Sequence, residues 1–284
     1  MTLPSPGTAD SQFWPTRLFS QRDLHLMLGL LFVIGGLSLL EARLTRMADG
    51  PVLVSGGLIW AVLVALFFWR RRMARRAWLR VHLAERSPWI QRLRGGLLML
   101  LGQAVLAAGL TLALLVSLSR EIPSTVWLLS VLLVPVWVKA WGGTAHYLSH
   151  HVNQEFLSVT IGRCLTWGFG SLALVALATW GLWRPVPDLG DVTLYAAVRD
   201  YTYGQHAEGS LLGFLLPFNA AFEGARLWAA QHWLEAAPGF SMRAIAWMVV
   251  LVHEWFFVWP CLLLWEAVSH VVHRYVPRTA ASEG

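Results

Sequence analysis

The residues of this sequence that could carry chemistry are ionisable side chains inside apolar stretches. Charged and imidazole groups are costly at membrane depth, so each one found there is a functional candidate. Two groups have helical spacing: Lys139, His146 and His150, and Glu266, His270 and His273. At about 100° per residue, the members of each group fall on one face of a helix. Each face therefore offers one charge and two imidazoles to a neighbour.

The two groups predict an ion pair between helices. Lys139 lies seven residues before His146, and Glu266 lies seven residues before His273. The topology derived below makes the two helices parallel, so the two charges should lie at a similar depth. We therefore predict an intramembrane ion pair between Lys139 and Glu266, beside a histidine cluster on the cytoplasmic side. The cluster comprises His146, His150, His151, His270 and His273, and His25 could join it.

Three interpretations of these groups stay open. The first is structural, since buried ion pairs often do no more than fix helix register. The second is a metal ion or haem b, because imidazole suits iron, copper and zinc. Its candidate ligands are His146, His150, His151, His270, His273 and His253. The third is a proton or ion path that uses Glu266 and the histidines.

His146-Tyr-Leu-Ser-His150-His151 matches the HxxxHH box of membrane fatty-acid desaturases and alkane hydroxylases. That family carries three histidine boxes, whereas this sequence has one full box and the partial box His270-Val-Val-His273. The pattern does not assign the chain to the family.

His253-Glu254 is a separate group deeper in the same apolar run. Adjacent helical residues point about 100° apart, so at least one of the two must face protein. For His253 we expect a hydrogen bond between helices, with a lone haem or quinone contact as the alternative.

The composition identifies the elements that must position these groups. Of 284 residues, 56% are hydrophobic and 13% are charged, about half the usual charged share. A soluble fold of this size could not hide so much apolar surface, whereas a bilayer can accept it. Six runs are long enough to cross a hydrocarbon core: 24–40, 52–69, 96–118, 125–141, 165–183 and 242–268. The sequence predicts an all-α, polytopic transmembrane bundle with about six spans and interfacial amphipathic helices.

The net charge of +6 comes almost wholly from arginine, since Lys139 is the only lysine. The positions of the arginines predict the orientation in the membrane. The segment 70–95 is dense in arginine, and such a short loop stays cytoplasmic. Counting from it places both termini in the cytoplasm. Its apolar residues recur at helical spacing, which predicts an amphipathic helix on the inner leaflet, with a solvated basic loop as the alternative. The predicted contacts to anionic phospholipid are Arg70, Arg71, Arg72, Arg75, Arg76 and Arg80.

The segment 184–241 falls outside the membrane by this topology. It begins with prolines, and its apolar stretch 211–218 is too short to span, so we expect a re-entrant or interfacial helical hairpin. Residues 195–206 are polar and aromatic and could contact a partner, with a packing cap over the helix bundle as the alternative. The predicted divisions are a polar N-terminus at 1–23, five helices with the basic loop at 24–183, this external segment, a sixth helix at 242–275, and a tail at 276–284.

No nucleotide-binding or nucleophile motif occurs in the sequence, and no catalytic residue can be assigned. We expect a bacterial inner-membrane protein that serves as a non-catalytic subunit or scaffold of a larger assembly. Its partners would be other membrane subunits or further copies of itself, with no nucleic acid. The alternatives are a haem- or metal-containing oxidoreductase subunit and a channel or proton-coupled transporter. No cofactor is the leading expectation.

Overall fold

The computed structural model describes residues 19–44, 46–82, 96–120, 122–183, 187–205, 210–235 and 239–276. In these residues the chain forms eight α-helices and no strand. They are α1 (Gln21–Leu44), α2 (Asp49–His82), α3 (Leu97–Leu118), α4 (Ser124–Leu148), α5 (Gln154–Trp183), α6 (Leu194–Thr202), α7 (Ser210–Ala229) and α8 (Phe240–Tyr275). A π-helical segment, Ala230–Glu235, continues α7.

Six of the helices are long and apolar enough to cross a membrane, namely α1, α2, α3, α4, α5 and α8. This confirms the predicted all-α, multi-pass bundle. Their outward-facing side chains are apolar: Phe32 is 82% exposed and Leu98 is 87% exposed. Exposing such a surface to water would cost free energy, whereas contact with lipid tails does not. The exposed residues therefore mark the lipid-facing side of the bundle.

The helix α8 lies at the centre and packs on α1, α2, α3, α5 and α7. Its C-terminal half is the most deeply buried part, and Leu263 and Glu266 have no exposed surface. α4 approaches this half with tryptophan: the ring of Trp137 lies 5.6 Å from that of Trp265, and its N–H donates to Ser269 Oγ at 3.0 Å. Large aromatic rings thus fill the bundle around α8.

The arginine-rich segment continues α2 through residues 70–82, where we expected a separate helix on the inner leaflet. Neither glycine nor proline occurs between Leu58 and His82, so nothing in the sequence ends the helix there. At about 1.5 Å per residue, α2 is about 51 Å long, well beyond a hydrocarbon core of about 30 Å. The rest of the predicted basic loop, residues 83–95, lies outside the described residues.

The segment between α5 and α8 is helical, in keeping with the predicted hairpin. Thr193 caps α6, its side chain accepting from the backbone N–H of Ala196 at 3.3 Å. α6 packs against α7, where Ala197 and Leu227 are buried. The Trp228 N–H donates to the Val192 carbonyl at 2.7 Å. These bonds and contacts hold α6 and the residues before it against α7.

Candidate functional site

Two buried glutamates divide α8 into two charged levels. Glu254 and Glu266 lie about 18 Å apart along the helix, at about 1.5 Å per residue. Each carboxylate is bound by at least one arginine from outside α8. We call these groups the Glu254 cluster (Glu254, His253, Arg120, Arg226 and Glu223) and the Glu266 cluster (Glu266, Arg70, Thr166 and His270).

The Glu266 cluster joins α2, α5 and α8. The Arg70 guanidinium binds both carboxylate oxygens of Glu266, with Nε at 2.6 Å from Oε1 and Nη2 against Oε2. The Thr166 hydroxyl donates to Oε2 at 2.6 Å, and His270 Nε2 lies 3.2 Å from Oε1. A bidentate arginine with further donors is the arrangement that a carboxylate without any exposure requires.

The structure pairs Glu266 with Arg70, where we predicted Lys139. Trp137 and Trp141 face inward from α4 and are buried. Lys139 is two residues after Trp137, about 200° around the helix, and therefore turns away from α8. Its ammonium lies 4.2 Å from the centre of the Phe19 ring. Matching the two residues in depth did not take into account how α4 is rotated about its axis. That rotation determines which side chain can reach Glu266.

The predicted histidine cluster separates into two groups. His270 and His273 lie inside, with ring centres 5.4 and 5.1 Å from that of Trp141. His146 and His150 are exposed near the end of α4, with ring centres 5.9 Å apart. The remaining two predicted members, His151 beside Tyr147 and His25 bonded to the Gln21 carbonyl, are also exposed. Within the described ranges, no three His, Cys, Asp or Glu side chains are arranged to hold a metal ion.

The arginines predicted to contact lipid occupy different surroundings. Arg70 turns inward, and its side chain is only 12% exposed. Arg71 and Arg72 are exposed, while Arg75 and Arg76 are half-buried. The side chain of Arg80 lies outside the described part. The run of arginines therefore has one member, Arg70, that pairs with Glu266 inside the bundle, and others that are exposed.

The Glu254 cluster lies where α3 ends. Arg120 donates to Glu254 Oε2 at 3.0 Å, and its other terminal nitrogen lies 2.9 Å from His253 Nδ1. His253 Nδ1 also lies 3.2 Å from Glu254 Oε1, so the imidazole stands between the guanidinium and the carboxylate. His253 thus makes a bond between helices, in keeping with our expectation. Arg226 of α7 completes the group, 3.5 Å from Glu254 Oε1 and 3.3 Å from Glu223 Oε1.

A cavity of about 850 Å³ opens beside the Glu254 cluster. Six helices and the segments that follow them contribute to its wall. Its charged wall consists of Glu41, Arg46, Arg120, Glu223, Arg226 and Glu254, and its apolar wall includes Val126, Leu177, Trp180 and Phe257. The cavity thus combines charge with apolar surface, which is typical of small-molecule sites.

Two neutral polar groups face this cavity without a protein partner. Asn219 is only 8% exposed, and its amide makes no hydrogen bond in the described structure. The Tyr201 hydroxyl likewise has none. Burial, followed by the nearby Glu223 carboxylate, raises the pKa of Tyr201 above its usual value. The phenol therefore remains a hydrogen-bond donor at neutral pH.

Comparison with known protein families, curated proteins and solved structures finds no match to this chain. The site must therefore be interpreted from its own geometry.

Sequence reasoning missed most of this site. Arg120 sits in a short connection, and Arg226 lies in a segment assigned to the exterior, so neither was inside a predicted span. Glu41 directly follows the first predicted run, 24–40. The signal that could have found them is His253-Glu254, because a carboxylate at membrane depth requires cations from some neighbouring helix. Which cations these are depends on the packing.

Gly162 provides the space that the Glu266 carboxylate occupies. A Cβ added at Gly162 would lie 2.6 Å from Glu266 Oε1, whereas one added at Gly168 of the same helix would meet no atom within 4 Å. We expect Gly162→Ala to destabilise the fold by about 1–3 kcal/mol through overpacking. Gly168→Ala should be neutral or slightly stabilising. Unfolding of both variants in mixed SDS micelles measures the difference, and equal stability would contradict this packing.

The Glu266 ion pair should show strong thermodynamic coupling. Glu266→Gln or Arg70→Gln alone leaves one buried charge without its main partner, at a cost of about 3–5 kcal/mol. The double variant removes both charges, so its cost should be well below the sum of the two. Arg71→Gln changes an exposed neighbour and should stay within about 0.5 kcal/mol of the parent. Strictly additive costs in the same unfolding assay would show that the two side chains do not interact.

Proposed function

We propose that this chain is a membrane transport protein that takes up a polar solute in the cavity beside Glu254. The observation that carries the proposal is the arrangement along α8. A cavity with charged walls lies beside Glu254. At Glu266, the tightly bonded Glu266 cluster closes the bundle. Charged groups inside a membrane bundle typically mark a substrate or ion path.

The wall of the cavity supports this function more than a purely structural one. A structural charge network would be closed by its own partners and packed without space. Here the ion pairs border a volume large enough for a small solute, and Asn219 faces it without a hydrogen bond to any residue that the structure describes. An unmet amide in a buried wall is costly unless water or a ligand completes its bonds.

The orientation is part of the proposal. The arginine-rich end of α2 favours the cytoplasmic side, because positively charged segments are retained there. The cavity lies at the opposite end of the bundle and would then face the outside. Both termini would be cytoplasmic. The cytoplasmic membrane of a bacterium is the setting we propose.

A role as a subunit or scaffold of a larger assembly is a second candidate, supported by apolar surface beyond the end of α3. Arg120 directly follows α3 and pairs with Glu254 near the middle of α8. The half of α8 that precedes Glu254 therefore extends past α3. It exposes Met248 at 58%, and the adjoining α7 exposes Phe214 at 78%. Exposed apolar surface of this kind is typical of a protein or lipid contact.

Transport predicts that the cavity wall at Val126 becomes accessible from both faces of the membrane. Val126→Cys, in a chain with Cys164→Ala and Cys261→Ala, should react with a membrane-impermeant thiol reagent in right-side-out and in inside-out vesicles. The controls are Arg71→Cys, expected to react only from the cytoplasmic face, and Tyr203→Cys, only from the outer face.

Each labelling outcome has a distinct meaning. If Val126→Cys reacts from the outer face alone, transport is excluded and the cavity is a one-sided binding site. If Arg71→Cys and Tyr203→Cys react from the same face, the proposed orientation is wrong.

The assembly role predicts protein neighbours at the surface formed by α7 and the first half of α8. A photo-cross-linking amino acid at Phe214 or Met248 should capture another polypeptide in native membranes. The same probe at Phe32 of α1, which is equally apolar and exposed, should capture mainly lipid. Lipid adducts alone at all three positions would count against an assembly role.

A further inference from the structure

The charges in the cavity wall are unevenly paired. Three carboxylates and three guanidinium groups line it. Arg120 and Arg226 are engaged by Glu254 and Glu223. The remaining two, Glu41 and Arg46, make no ion pair in the part of the chain that the structure describes. The wall therefore offers one unpaired negative and one unpaired positive charge to whatever occupies the cavity.

Both unpaired charges come from the same end of α1. Glu41 lies in its last turn, and its Oε1 accepts the backbone N–H of Ile122 at 3.1 Å. This bond anchors the carboxylate and leaves Oε2 without a hydrogen bond. Arg46 follows the helix end and is exposed. A ligand in this cavity can therefore meet an anchored anion and an adaptable cation at once.

Ligands of a single charge suit this wall poorly. An anion at Arg46 would leave Glu41 unpaired, and a cation at Glu41 would leave Arg46 unpaired. A charge of the wall that meets no counter-charge on the ligand adds nothing to affinity, and its desolvation costs free energy. A ligand that carries both charges satisfies both side chains, and the net charge of the cavity stays unchanged.

We propose that the cavity binds a zwitterion, its anionic group at Arg46 and its ammonium group at Glu41. The Asn219 amide and the Tyr201 hydroxyl supply the hydrogen bonds that the protein leaves unmet. Val126, Leu177 and Phe257 give an apolar wall for the remainder of the ligand. The volume of about 850 Å³ lies within the range of small-molecule sites. The source is either a free amino acid or the headgroup of a phosphoethanolamine lipid, and this assignment rests on the cavity being a ligand site, as proposed above.

Calorimetric titration of the full chain in uncharged maltoside micelles tests the assignment. The probes are leucine, which carries both charges, and two analogues of similar shape that carry one each: 4-methylpentanoate without the ammonium group and 3-methylbutylamine without the carboxylate. Glycerophosphoethanolamine represents the lipid headgroup. We expect at least one zwitterion to bind tenfold or more tightly than either analogue. Leucine binding identifies a free amino acid as the source, and glycerophosphoethanolamine binding identifies a headgroup.

Substitutions test which side chain binds the ammonium group and which binds the anionic group of the ligand. Glu41→Gln should weaken binding of the zwitterion and narrow its advantage over 4-methylpentanoate. Arg46→Gln should narrow its advantage over 3-methylbutylamine. Arg43→Gln lies at the same helix end outside the cavity wall and should bind as the parent does.

The assignment is overturned if neither zwitterion binds, or if a singly charged analogue binds as tightly. Its failure is distinguishable from that of transport, because titration requires no passage across a membrane. Zwitterion binding with one-sided labelling of Val126→Cys would exclude transport alone. Two-sided labelling without zwitterion binding would exclude this ligand class alone.

Discussion

The structure depends on the neutralisation of two carboxylates buried along one helix. An ionised group inside a membrane bundle is tolerated only where cations and hydrogen-bond donors replace its water. Glu266 obtains them from α2 and α5, and Glu254 obtains them from the end of α3 and from α7. The two glutamates therefore tie α2, α3, α5 and α7 to α8. Apolar packing between lipid-like surfaces is far less selective, because lipid tails compete with it on equal terms.

The position of the small residues follows from the same constraint. Gly162 lets α5 come close enough for Thr166 to donate to Glu266, since any side chain there would occupy the carboxylate's place. On the opposite side, a Cβ at Gly29 of α1 would lie 2.7 Å from Val268 Cγ1. Close approach on both sides keeps water from the Glu266 cluster, and a drier ion pair is a stronger one.

Hydropathy was enough to predict the six spans, because it requires only the length of each apolar run and the thickness of the bilayer. It could not predict the partners. Lys139 and Glu266 were matched in depth, yet Trp137 and Trp141 take the inward face of α4 and turn Lys139 away. Arg70 was placed on lipid because it begins a run of arginines, and a run gives no sign that one member points inward. The cavity could not be predicted at all, because six helices contribute to its wall. The sequence does not indicate which helices are neighbours in the folded chain.

The two clusters differ in a way that bears on how such a protein could open. The contacts of Arg226 in the Glu254 cluster are long, at 3.3 and 3.5 Å, and border the cavity. Those of Glu266 are short and bidentate, with Thr166 as a further donor. Opening the closed end would require α8 to part from α2 or α5 at Glu266, which exposes a charge that is costly to leave unpaired. Arg70, however, stands where the apolar part of α2 ends, so water can reach it as the helices separate. Hydration at that end would offset much of the lost pairing, and the Glu266 cluster can therefore hold the bundle closed without making the closure permanent.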